Sequence, residues 1–408
     1  MGQGLGRNSP IVLSLGKENY EALIDRHGQW VRWRIAAKCP CVSENSQQPD
    51  LHCKKCGGLG FTYSYQKDRT VTQTVMVEDA GGIVELNGEF VDCPLVKVYD
   101  NSGVVYSSAE KKGGFVVLNS EVPPEKGSYI TVVMVEKILK RVDTAACTKV
   151  GNGYFRVNGL REGKTGIDGL YHTVPSDIES IERIVDANGV EYKARELRQD
   201  MFYIEPATEK MEVGSSGSDK SEEKIQILEP LTAFGVDYIP PFMFLLLNQN
   251  LNKADEQFMK DLNGDAVLTF PYNCDVSNDD VITVLSGTYT QKNVVMKKDA
   301  EYDVIGAYFV DEIVSCVGKE REFANGVDFI LVGTNRLKWI CDDRPDDGEA
   351  YSITYRVFPT YKVMKNIPQI RTSENQRMPK KAVVKLFDTY SERRGVNRQI
   401  TGRQDFAF

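Results

Sequence analysis

Hydrophobic and polar residues alternate with a period of two along most of this chain. Short runs of that kind recur from residue 94 onward: PLVKVYD, GFVVLN, YITVVMVE, RIVDANGVEY, MFYIEP, KIQILEP, AVLTFPY, DVITVLSG, VDFILVG, LKWIC and AYSITYRVF. Gly, Pro, Asn or Asp punctuates them, as expected of strands joined by tight turns. Trp30–Ala37, Gly60–Tyr65 and Thr70–Val77 read as strands on the same ground. Helical spacing is rare. Lys17–His27 sets Tyr20, Leu23 and Ile24 on one face and stops at Gly28, and Lys253–Leu262 and Lys381–Phe387 are the other candidates. The pattern predicts a mainly β fold of several small antiparallel β-sandwich modules, preceded by an N-terminal helix and followed by an extended C-terminal arm.

Three stretches share an order of motifs. DNSGVVY (from Asp100), DANGVEY (from Asp186) and ANGVDF (from Ala324) each set a turn glycine (Gly103, Gly189, Gly326) before Val-x-Tyr/Phe. Twelve or thirteen residues after that glycine stands an aromatic residue expected in the core: Phe115, Phe202 and Trp339. The first and third stretches then share Pro-x2-Gly and a Tyr before an alternating strand. An internal repeat of strand, turn and strand follows. The expected domains are 1–66 (helix, strand and cysteine loop), 67–145, 146–230 and 231–360 (β-modules), and 361–408 (basic arm). Thr208–Lys224, polar and Gly/Ser-rich, reads as a flexible insertion in the second module.

At 408 residues the chain exceeds one ordinary core. Its longest apolar run, Phe242–Leu247, falls far short of the roughly 20 residues that span a bilayer, so no membrane partner is expected. The opening MGQGLGRNSP lacks a signal-peptide core, so the expectation is a reducing compartment. Net charge is −8, which disfavours nucleic acid. From Tyr361 to Phe408, however, eleven Lys/Arg face four Asp/Glu, a net of +7. Such a tail is suited to docking on an acidic neighbour, with Val383, Val384, Leu386, Phe387, Phe406 and Phe408 as apolar anchors. His27, His52 and His172 are the only histidines, and none sits in a recognisable nucleophile motif. With no phosphate-binding loop or dinucleotide fingerprint either, the chain is not expected to be an enzyme. The acidic run Asp342–Glu349 reads as a solvated turn.

The informative chemistry lies at CPCVSENSQQPDLHCKKCGGLG. Cys39 and Cys41 form one pair and Cys53 and Cys56 another, eleven residues apart. Cys-x2-Cys followed by glycine is the usual half of a zinc site, because backbone amides can approach the sulfurs there. Four thiolates with no flanking acid at fixed spacing point to a closed, structural Zn2+ site. Free thiols or two disulfides are the alternatives, although a Cys-x-Cys disulfide is strained. His52, beside Cys53, is a substitute ligand that four thiolates do not need. CKKCGGLG also resembles the Cys-x2-Cys-x-Gly-x-Gly unit of the DnaJ cysteine-rich domain, without that family's J-domain.

Ala22–Arg34 (ALIDRHGQWVRWR) resembles the helix, His-Gly turn and strand that open head–tail joining proteins of tailed bacteriophages. CPC…CKKCGGLGF resembles a cysteine loop of virion proteins encoded among head–tail and tail genes. The GVDF, LKWI and PDDGEAYSITY stretches, with FPTYKVMKNIPQIR, are similar to β-modules of phage neck, baseplate and fibre proteins. The resemblance implies a structural virion protein, assembled in the host cytoplasm, in a multi-copy ring at the neck or head–tail interface. Its partners would be copies of itself and other virion proteins of neck, tail or baseplate. A baseplate or tail-fibre-attachment protein is the second reading, and an intracellular zinc-binding interaction module the third.

Overall fold

A computed structural model gives the fold. It describes residues 23–387 apart from 44–47, 51, 54, 57, 79–81, 87–92, 120–123, 152, 166–168, 205–228, 248–263, 307–308 and 368–378. The described residues are mainly β, as the alternation predicts, in antiparallel sheets.

Six strands far apart in sequence close on one another. Gln29–Lys38 pairs with Phe242–Leu247 on one side and Val281–Val284 on the other. Phe242–Leu247 continues to Ala266–Phe270, which pairs with Lys380–Leu386. That strand pairs with Thr360–Ile367, and Thr360–Ile367 returns to Val281–Val284. The hydrogen-bonded ring is therefore a six-stranded antiparallel barrel with no free edge. Val31, Trp33, Phe244, Phe270, Leu268 and Ile282 are buried, and the Trp33 ring meets Phe242 at 5.4 Å and Phe244 at 6.1 Å. Phe61–Ser64 is appended to the far end of the first strand, opposite residues 35–38.

Three copies of one six-strand sandwich are inserted into this barrel sequence. In copy one, Tyr129–Lys137 lies between Asp68–Met76 and Leu95–Asp100, and Phe115–Leu118 between Ile83–Glu85 and Ala109–Lys112. In copy two, Leu231–Ile239 lies between Lys140–Gly151 and Asp177–Val185, and Met201–Tyr203 between Tyr154–Val157 and Glu196–Arg198. In copy three, Ala350–Val357 lies between Tyr289–Met296 and Val310–Val317, and Arg336–Trp339 between Tyr302–Val304 and Phe329–Val332. The strand order is the same in all three. Each also has a register shift near the start of its third strand, at 95/97, 178/180 and 310/312. Copy two adds the hairpin Arg161–Thr165 with Tyr171–Pro175, and joins its two sheets through Lys140–Gly151 and Tyr154–Val157.

The turns repeat as well. Asp100 Oδ1 accepts from the N–H groups of Ser102 and Val104, and Asp186 Oδ1 from those of Asn188 and Val190. Gly103, Gly189 and Gly326 all have φ between +80° and +85°, which β-carbon sterics disfavour for other residues. In copies one and three the Pro-x2-Gly glycines, Gly127 and Gly348, donate to Val77 O and Lys297 O. The aromatic position slips in copy one: Phe115 is 46% exposed and its neighbour Val116 is buried, whereas Phe202 and Trp339 are buried. Val116 is the residue thirteen after its turn glycine, matching Phe202 and Trp339. A one-residue slip in a strand moves a side chain to the other face.

Two compact units divide the described residues. Residues 66–140 with 271–275 form one, and the rest form the other. The segment 231–360, read above as one module, holds the last strand of copy two, three barrel strands and copy three. Lys381–Phe387, a helix candidate, is instead almost wholly a barrel strand, Lys380–Leu386, hydrogen-bonded between two neighbours and with Val383 and Val384 buried on its opposite faces. All but the first residue of Thr360–Ile367, and the whole of Lys380–Leu386, lie in the segment read as a basic arm. Of the predicted N-terminal helix, 23–27 is helical and 17–22 lies outside the described residues. The insertion Thr208–Lys224, the candidate helix Lys253–Leu262 and the anchors Phe406 and Phe408 also lie outside them.

Candidate metal centre

The barrel's first strand runs directly into the cysteine loop. Asp280, fully buried, accepts hydrogen bonds from Trp33 Nε1 and Ala36 N at 2.8 Å each, fixing the strand just before Cys39. Cys39 N then donates to Gly60 O at 2.9 Å, so the loop's two ends meet as a ladder. Val42 N donates to Cys39 O, and Leu59 N to Cys56 O, forming a tight turn at each cysteine pair. Gly60 N donates to Cys56 Sγ at 3.4 Å, and Gly58 and Gly60 have φ of +83° and +79°. Those glycines allow the close amide–sulfur approach expected of a thiolate site.

The loop gathers all four predicted residues. Cys39, Cys41, Cys53 and Cys56 place their sulfurs within 4.8 Å of one another. Cys39 Sγ lies 3.7 Å from Cys53 Sγ, and Cys41 Sγ 3.4 Å from Cys56 Sγ. A tetrahedral zinc with Zn–S of about 2.3 Å sets neighbouring sulfurs about 3.8 Å apart. A disulfide needs about 2.05 Å. The spacing thus fits four ligands around one ion and is too long for disulfide pairs. Each pair of nearest sulfurs takes one cysteine from each half of the motif. Cys39 and Cys56 are buried, and Cys41 and Cys53 are partly exposed. His52 is exposed and stands apart from the cluster. This group could hold a metal ion.

The thiols are not equivalent. The backbone N–H groups of Cys56 and Lys55 donate to the Cys53 sulfur and pull its pKa down to about 7. Burial, followed by the neighbouring thiols, pushes Cys41 up to about 12, and burial also raises Cys56. A bound cation would reverse that cost, because a coordinating thiol is deprotonated. Cys53 is therefore the first thiolate available to an incoming ion.

Among the described residues, no other group of His, Cys, Asp or Glu gathers in this way. Cys93, Cys147, Cys274 and Cys316 are buried in separate places, and burial lifts Cys147 to about 11 and Cys316 to about 12. Such thiols are poor nucleophiles. The acidic run at 342–349 is engaged in ion pairs, Asp343 with Arg321 at 3.1 Å and Asp347 with Lys297 at 3.6 Å. Sequence reasoning missed the buried polar contacts between barrel and copy two and those inside copy three. Arg32 makes a two-pronged ion pair with Asp177, and Asp303 accepts from Trp339 Nε1 at 2.8 Å and Tyr351 Oη at 2.9 Å. Arg32 and Asp177 are 145 residues apart, so no local spacing could have revealed them.

Among the described residues no helix is long and apolar enough to cross a membrane. Neither protein-family models nor curated proteins gave a match to this chain.

Proposed function

We propose that this chain is a structural component of a tailed-phage virion, built into a multi-copy ring at the neck, with Zn2+ as its structural metal. The observation that carries the reading is the triplicated sandwich inserted in a closed barrel. Repeated modules multiply contact surface without creating a reaction centre. Among the described residues, the first strands of copies one and three, Asp68–Met76 and Tyr289–Met296, are also open sheet edges. An open edge is a template on which a neighbouring subunit can add a strand. Val294 and Met296 stand exposed on the second of these edges. A ring uses contacts of this head-to-tail kind.

Zinc suits the cysteine cluster because soft thiolates select it and four of them fill its tetrahedron. No coordination position is left for water or substrate, so the ion staples the loop and turns nothing over. The partners are further copies of the chain and adjoining virion proteins. Mass photometry of the full chain, alone and with the proteins of the same particle, tests the assembly. Closed oligomers of one size are expected, and monomers under every condition would overturn the ring.

A further inference from the structure

Copies two and three meet the barrel at one residue, Arg32, through matching positions. Ile178 N donates to Gln199 O in copy two, and Val310 N donates to Thr334 O in copy three. The preceding residues, Asp177 and Phe309, are therefore equivalent. Asp177 pairs with Arg32, and the Phe309 ring lies 4.2 Å beneath its guanidinium. Arg198, from the strand before Gln199, crosses to copy three and donates to Val310 O at 2.8 Å and to Asp311 O. The three folding elements thus converge on a continuous polar junction.

Two features mark that junction. The first is backbone strain. The hairpin turn joining the fourth and fifth strands begins with Gly113 in copy one and Gly333 in copy three, at φ of +60° and +58°. In copy two the turn begins with Gln199, at φ +55°; the turn of copy three is one residue longer, so the carbonyl that matches Gln199 O belongs to Thr334, the residue after Gly333. A non-glycine residue held there is strained, and strain of this kind persists where function needs the side chain. The second is an imbalance of donors, once Arg156 Nε and Asp200 Oδ2, which likewise lack a hydrogen bond, are set against each other at 3.3 Å. Arg32 Nη1, Ser176 Oγ, Arg198 Nε and Gln199 Nε2 are buried and find no acceptor among the described residues. Arg32 and Ser176 are 2% and 1% exposed.

Charge points the same way. Arg32, Arg156, Arg161 and Arg198 face Asp177, Asp200 and Asp311. Asp177 is consumed by Arg32, and Asp200 by Arg156 at 3.3 Å and Arg161 at 3.2 Å. Arg198 finds backbone carbonyls, with the carboxyl of Asp311 nearby. Burial pulls its pKa below the usual guanidinium value, and the charge on Arg32 adds to the effect. Water could accept from the orphan donors but would bring no negative charge to a junction where four arginines face three carboxylates.

We infer that this junction binds one small tetrahedral oxyanion, phosphate or sulfate, through Arg32, Ser176, Arg198 and Gln199. Single N–H donors from Arg32 Nη1 and Arg198 Nε, an amide and a hydroxyl are groups that such an anion takes. The ligand locks copies two and three to the barrel. This site is independent of the metal centre and of the ring reading.

The test uses the full chain, purified in chloride. Denaturation followed by ion chromatography should release about one phosphate or sulfate per chain. If the anion is lost in purification, either salt should raise the melting temperature above that in chloride of equal ionic strength. Arg198→Met should abolish both signals. Gln199→Gly keeps the fold, because copies one and three fold with glycine at that turn, and should lose the anion response as well. No released oxyanion together with coincident melting in all three salts overturns the site. An anion response that both variants keep also overturns it, since the binding then lies elsewhere.

Discussion

Replacing Cys53 and Cys56 together by serine should open one part of this protein and leave the rest closed. The barrel ring is sealed through residues 29–34 of its first strand, which pair with 242–244 and 281–284. The cysteine loop and Phe61–Ser64 hang from residues 35–38, outside that ring. The metal joins two cysteine pairs across eleven residues. A cross-link closing a loop of this size is worth about 3 kcal/mol through the entropy of the open chain. At 1.4 kcal/mol per factor of ten, protection of the loop amides should fall about a hundredfold. Hydrogen exchange read by mass spectrometry separates the regions, because local opening is visible apart from global unfolding. Peptides covering 39–64 should exchange faster in the variant, and those covering 281–284 and 380–386 should be unchanged. Equal loss of protection in barrel and loop would refute the division between ring and appendage. Unchanged protection at 39–64 would refute the staple.

Phe202→Ala should cost about 3–5 kcal/mol in urea unfolding, since Phe202 is fully buried and stacks on Phe155 at 5.8 Å. Phe115→Ala, at a solvent-facing position, should stay within about 0.5 kcal/mol of the parent. Arg32→Met should destabilise by about 3–5 kcal/mol by leaving Asp177 buried without its cation, and Arg32→Met with Asp177→Leu should recover much of that loss in a double-mutant cycle. In chelator, Cys53 should be alkylated faster than Cys41 at neutral pH, because its lowered pKa populates the thiolate. The sign for stability follows: the thiolate's contribution in metal-free protein is fully present above the free-thiol value and is lost as pH falls through about 7. Mass spectrometry of iodoacetamide-treated protein across pH 6–9 reads both, and equal rates at the two cysteines would contradict the hydrogen bonds assigned to Cys53.

Much of this was legible in the residues themselves. Alternation with turn glycines marks strands, because the pleat has a period of two, and the mainly β fold follows. The repeat was visible at Asp100 and Asp186, where Asp and Gly are needed for one turn geometry. It was misread at Phe115, because counting an aromatic residue favoured the wrong face by one position. The cysteine cluster was legible since its ligands are local, lying within eighteen residues. The barrel was not. Its strands stand at 29–38, 242–247, 266–270, 281–284, 360–367 and 380–386, and nothing local records which strand closes on which. Lys381–Phe387 was ambiguous for the same reason: a short apolar run fits either period, and only its two neighbouring strands decide. Arg32 and Asp177 are likewise joined by topology and not by spacing.

The most direct test of the metal centre is elemental analysis of the full chain, purified under reducing conditions without added metal and counted against protein mass. The account predicts one zinc atom per chain, removed together with the extra protection at residues 39–64 when Cys53 and Cys56 are replaced. Protein that carries no metal with all four thiols free, or with those thiols joined as disulfides, would contradict it.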